Sequence, residues 1–106
     1  MSDTTLGADL QQLSHLLEAL IAKEIDLKKK DDLREQLAKV FDSIQTLVEL
    51  NVKAATAEYA QAKEGVEKAN GEVLEAIKDL DKVAKTINTV AKVVDILGKL
   101  SKTAAA

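Results

Sequence analysis

The sequence has no cysteine, no proline and no tryptophan, and its aromatic content is one phenylalanine and one tyrosine in 106 residues. Without cysteine, neither a disulfide framework nor a thiolate metal site can be built. With no proline and only four glycines, the chain has few residues that break a helix. Clusters of aromatic and β-branched residues flanked by turn residues, the mark of strands, do not occur. No run approaches the ~18 uninterrupted apolar residues of a membrane-spanning helix. The formal charge is −3, from 15 basic and 18 acidic side chains of interspersed sign. That leaves no global basic field for nucleic acid. The opening residues, Met1-Ser2-Asp3-Thr4-Thr5, lack the cationic start and apolar run of a secretory signal. The expectation is a cytoplasmic protein; leaderless export through a dedicated apparatus is compatible with the same residues.

What remains is rich in Ala, Leu, Lys and Glu, the composition of long helices. Apolar residues recur at spacings of three and four in three segments, which predicts an all-α single domain over 1–106. The first segment covers about 6–28, with Asp3 or Thr4 as its cap and a stripe of Leu6, Leu10, Leu13, Leu16, Leu17, Leu20, Ile21 and Leu27. Lys28, Lys29 and Lys30 suit the end of a helix, and Asp32 with Glu35 has the spacing of a capping box. At ~100° per residue the first stripe points roughly 130° away from the one that follows, so a break near 28–32 is expected. The second segment covers about 32–69 and includes Leu33, Leu37, Val40, Phe41, Ile44, Leu47, Ala62, Val66 and Ala69. Asn70-Gly71, residues that tolerate the left-handed end of a helix, mark the next break. The third segment covers about 72–100, with Val73, Ile77, Leu80, Val83, Ile87, Val90, Val94 and Leu97 on its stripe. Residues 101–106 read as a frayed tail. The expected fold is therefore three helices, a long antiparallel hairpin of 32–69 and 72–100 with a shorter N-terminal helix. The alternative is one continuous helix over 32–100 in a coiled-coil oligomer, because the third stripe continues the second nearly in phase. No full-length internal repeat is visible.

Such a hairpin is longer than the first helix can cover at ~1.5 Å per residue. One end becomes a three-helix bundle and the other, around Ala54–Ala84, a thin two-helix arm. Ile77 then lies beside Ala62–Val66. Small residues on the arm's outer side let a second helix approach, which makes Ala54, Ala57, Tyr59 and Ala60 the candidate partner interface. Pairing of two arms into a local four-helix bundle follows, with a homodimer as the expected oligomer.

Equipment for chemistry is scarce. The lone histidine, His15, has Glu18 three residues on, but a metal site needs three or four convergent ligands. The Glu-x-x-His pairs of di-iron bundles do not occur. Asp31, Asp32 and Glu35, Glu72 and Glu75, and Asp79 and Asp81 are close in sequence, yet capping and surface pairing account for them. Gly7, Gly65, Gly71 and Gly98 are isolated and form no phosphate-binding loop. No catalytic residue, cofactor or metal ligand is assigned, and the expectation is that the protein is not an enzyme. A local charge signal lies in the last segment: Lys85, Lys92, Lys99 and Lys102 against Asp95. With Val93, Ile96 and Leu100 beside them, Lys85, Lys92 and Lys99 resemble one side of an interfacial membrane helix. The third reading is a secretion-associated helical hairpin. The ESX-type secreted proteins carry Trp-x-Gly at their turn and type III needle subunits a proline-flanked turn; this chain has neither Trp nor Pro, so no residue role is carried over. The leading expectation is a non-enzymatic helical interaction module, self-associating or docking a helical partner, with a peripheral membrane protein as the runner-up.

Overall fold

Four α-helices account for nearly all of residues 5–50 and 57–105, the part of the chain described by the computed structural model. They are α1 (Leu6–Lys23), α2 (Leu27–Leu50), α3 (Ala57–Lys78) and α4 (Val83–Ala105), the last entered through a short 3₁₀ turn, Leu80–Lys82. Among the described residues there is no strand. Thr5 caps α1, its hydroxyl oxygen accepting the Ala8 N–H at 3.1 Å; Asp3 and Thr4 lie outside the described residues. Helix α1 packs on α2 and α3, and α4 packs on the same two, so α1/α4 and α2/α3 sit diagonally across the core. The Leu6 N–H donates to the Tyr59 hydroxyl at 2.9 Å near the starts of α1 and α3, and Lys23 Nζ donates to the Ile77 carbonyl at 3.4 Å near their ends. These two helices therefore run parallel. Thr89 Oγ1 donates to Glu72 Oε1 at 2.9 Å, and Lys82 pairs with Glu75 at 3.6 Å, so α3 and α4 run antiparallel. The radius of gyration, 13.4 Å, is that of a compact domain of ~100 residues.

The apolar stripes meet in one interior. Leu6, Leu10, Leu13, Leu17 and Leu20 enter it from α1, Leu33, Val40 and Leu47 from α2, Ala62, Val66, Ala69, Val73 and Ala76 from α3, and Val83, Val90, Val93, Leu97 and Leu100 from α4. Burial of this surface, at ~25 cal/mol per Å², is the main force holding the helices together.

The helix boundaries differ from those expected. The first break falls at residues 24–26 instead of 28–32. Glu24 Oε2 accepts the N–H groups of Ile25 (3.1 Å) and Asp26 (3.2 Å), and Asp26 Oδ1 accepts that of Lys29 (3.0 Å). The Glu24 bonds hold the turn, and the Asp26 bond caps α2 six residues earlier than the Asp32–Glu35 pattern suggested. The second break is not at Asn70-Gly71, which lies inside α3. Asn70 is buried and donates Nδ2 to the Asp9 carbonyl at 3.2 Å. That bond, with the burial of Ala69, Val73 and Ala76 on the same face, outweighs the ~1 kcal/mol cost of an interior glycine. The chain turns instead at Asp79, extended at φ −144°, ψ 96°, whose carboxylate accepts the Asp81 N–H at 3.2 Å. Among the described residues neither the 32–69/72–100 hairpin nor a continuous 32–100 helix is present, since α3 runs through Asn70-Gly71 and ends at Lys78, and four helices stand where three were expected.

Among the described residues the two-helix arm is also absent. Helix α3 lies along α1, and its Ala62, Ala69 and Ala76 are buried. The four described helices pack on one another as a bundle within the chain. Ile77 lies on the same helix as Ala62–Val66 and not opposite them. Helix α4 continues past Leu100 to Ala105, with Ser101 Oγ donating to the Leu97 carbonyl at 3.0 Å.

Candidate functional site

The residues singled out from sequence are scattered by this fold. Ala54 lies outside the described residues. Ala57 and Ala60 are exposed on the first turns of α3. Tyr59 is half-buried, and its hydroxyl satisfies the Leu6 N–H, one of the donors that the start of α1 leaves unpaired. Of the group assigned to a membrane, Val93 and Leu100 are buried and Ile96 is half-buried, its Cδ1 beside Gly65 of α3. Lys85, Lys92 and Lys99 stay exposed on the other side of α4. The bundle thus takes up the apolar half of that pattern. His15 is exposed on α1.

Because α1 and α3 are parallel, the α1–α2 turn and the α3–α4 turn lie at the same end of the bundle. There the chain presents the two most exposed large apolar side chains among the described residues, Ile25 at 86 % and Leu27 at 76 %. They flank a turn whose backbone is fixed by Glu24 and Asp26. Glu24 is itself buried, and its Oε1 has no hydrogen-bond partner. Beside the turn, the starts of α2 and α4 border a cleft of about 360 Å³, with Asp26, Lys29 and Asp32 on one wall and Ala84, Ile87 and Asn88 on the other. The carboxylates offset the lysines, so the cleft has no strong preference for an anion or a cation. Phe41 on α2 and Leu74 on α3 are the next most exposed apolar side chains.

A polar seam runs between α1 and α3. Asp9, buried, pairs with Lys63 Nζ at 3.1 Å, and the same ammonium pairs with Glu67 at 3.1 Å. Asn70 adds its bond to the Asp9 carbonyl, and the buried Ser14 hydroxyl donates to the Gln11 carbonyl at 2.7 Å. The hydrogen bond to Asp9, and then the one to Glu67, hold the Lys63 ammonium above its ordinary pKa of 10.5. The seam fixes the register of two helices whose apolar faces alone would allow them to slide.

No protein-family model, curated protein or solved structure matches this chain.

Among the described residues, no three His, Asp or Glu side chains are gathered as a cation would require. The ionisable groups of the seam face one another, and the apolar groups of the turn face water. No helix among the described residues is long and apolar enough to cross a membrane. Sequence reasoning missed Ile25, Glu24 and the Asp9–Lys63–Asn70 group. A signal for the turn was present: Leu27 stands one heptad past Leu20, which stands one past Leu13 and two past Leu6, so its exposure marks a stripe cut short.

Proposed function

We propose that the chain is a non-enzymatic helical interaction module that associates with a second copy or docks a helical protein partner. The observation that carries the reading is the exposure of Ile25 and Leu27 on a backbone held by side-chain hydrogen bonds. A rigid apolar knuckle at a bundle end loses little conformational freedom when covered, and each side chain gains ~1.5–3 kcal/mol from leaving water. Ala57 and Ala60 on α3 offer a second, flatter surface that a helix can approach closely, and they remain part of the proposed interface with Tyr59 and Ala54.

The test is equilibrium sedimentation of the chain from micromolar to millimolar concentration, together with capture from the native organism, each run beside Ile25→Asp/Leu27→Asp. Concentration-dependent association, or capture of one helical protein, abolished by the paired substitution supports the reading. A strict monomer that captures the same proteins with and without the substitutions overturns it.

A further inference from the structure

The first helix of the chain is written longer in sequence than it is in the fold. Its heptad of Leu6, Leu13, Leu20 and Leu27 continues one step past Lys23, where α1 ends. The three residues that interrupt it, Glu24, Ile25 and Asp26, include neither glycine nor proline. The backbone leaves the helix because two carboxylates accept its N–H groups. The turn leaves Ile25 and Leu27 in water and one oxygen of the buried Glu24 unpartnered. Such local conflicts mark a segment with a second conformation close in energy.

The stripes say what that second conformation fits. In an uninterrupted helix over 6–50, at ~100° per residue, the buried leucines of α1 and the buried residues of α2 (Leu33, Val40, Leu47) project on faces about 160° apart. Leu27 then falls beside the α1 stripe and Ile25 beside the α2 stripe, each extending an apolar face. A rod of that length measures about 67 Å at 1.5 Å per residue, against a longest dimension of 41 Å for the bundle. It cannot fit inside one bundle. With its two apolar faces opposed, it passes between two bundles, one on each side.

We infer that residues 24–26 form a hinge through which α1 exchanges between two copies of this chain, each copy's α1 packing along the other's α3. This rests on the self-association reading above and names its mechanism. Every contact of α1 with α2, α3 and the Asp9–Lys63 seam is remade with the second copy, so the exchange costs no core. The only new element is the helical hinge, which removes the exposed apolar knuckle.

Glu24→Ala and Asp26→Ala remove the acceptors that hold the turn. Together they raise the dimer association constant by at least about tenfold, since two hinges straighten per dimer; Ile25→Gly, which disfavours a helical hinge, lowers it. The exchange is read with Asp9→Cys/Lys63→Cys, placed in the otherwise cysteine-free chain and joined by a short bismaleimide. In the monomer the link lies within one chain. In the exchanged dimer it joins two, and a covalent dimer appears on a denaturing gel. Circular dichroism confirms that each variant is still helical, and the unsubstituted chain is sedimented alongside. Dimers whose links stay within single chains overturn the exchange and leave self-association standing. Absence of dimer at millimolar concentration in all of these proteins overturns both.

Discussion

Helices α1 and α3 lie side by side in the same direction and bury the same pattern of positions, yet they fill those positions by opposite means. Leu6, Leu10, Leu13, Leu17 and Leu20 of α1 correspond, at a constant spacing in the sequence, to Ala62, Val66, Ala69, Val73 and Ala76 of α3. Even the polar positions correspond: Ser14 in one helix, Asn70 in the other, both buried. Large side chains on one helix are accommodated because the other carries small ones, which lets the core reach close packing without aromatics. The difference teaches that α1 contributes side-chain volume, whereas α3 contributes close backbone approach. The two helices should therefore fail in opposite ways when altered.

The largest effect is expected from truncating α1. Leu13→Ala or Leu17→Ala, at positions with no exposed surface, should cost ~2–5 kcal/mol in urea unfolding, because the cavity cannot be filled from a partner helix already trimmed to alanine and valine. A loss below ~1 kcal/mol at both sites would mean that the core has another centre. The complementary change enlarges α3. Ala69→Leu should cost ~1–3 kcal/mol by overpacking; a neutral or stabilising result would show spare volume and break the contrast between the helices.

The seam between them gives a smaller, pH-marked effect. Lys63→Met leaves the buried Asp9 without its ammonium partner and should lower the Tm at pH 7, with much of the loss recovered by Asp9→Leu in the double variant. Since Lys63 is held above its ordinary 10.5, its pairing stabilises the fold fully below about pH 10.5. That contribution is lost as pH rises through the raised value. Melting curves of the chain and of Lys63→Met should therefore stay apart at pH 8 and draw together as pH rises through that raised value. The smallest change concerns Gly71. A Cβ there meets nothing within 4 Å, and the position is interior to α3. Gly71→Ala should raise stability by ~1 kcal/mol, or ~4–8 °C in Tm; a fall would return the turn to Asn70-Gly71.

The all-helical class and most of the core were legible, because a 3.6-residue apolar period survives whatever the tertiary arrangement. Leu10, Leu17, Val40, Val66, Val73, Val90 and Leu97 were all read on stripes from spacing alone, and all are buried. The breaks were not legible, because each is decided by a side chain's choice between local and tertiary bonds. Asn70 looks like a helix end in sequence; only the Asp9 carbonyl opposite makes it a helix interior. Glu24 looks like a surface residue; only its bonds to the two N–H groups that follow make it a turn. With the later break at Asp79, and with α2 ending at Leu50 and α3 beginning at Ala57, the described residues form four helices where three were expected, and the expected arm becomes part of the core. Of the residues proposed to meet a second copy, Ala57 and Ala60 face water and Tyr59 is half-buried, whereas the alanines further along α3, Ala62, Ala69 and Ala76, face the interior. The candidate knuckle went unseen for the same reason, since Leu27 on its heptad reads as core until the helix is known to stop at Lys23.

Parallel packing of α1 on α3 underlies the core, the seam and the hinge alike. A nitroxide attached at Ala8→Cys, the one thiol in the chain and on an exposed position, reads it directly by paramagnetic broadening of amide signals. Broadening centred on Tyr59 to Lys63 and absent at Ile77 is the expected result. Broadening at Ile77, or none anywhere in α3, would contradict the fold described for this chain.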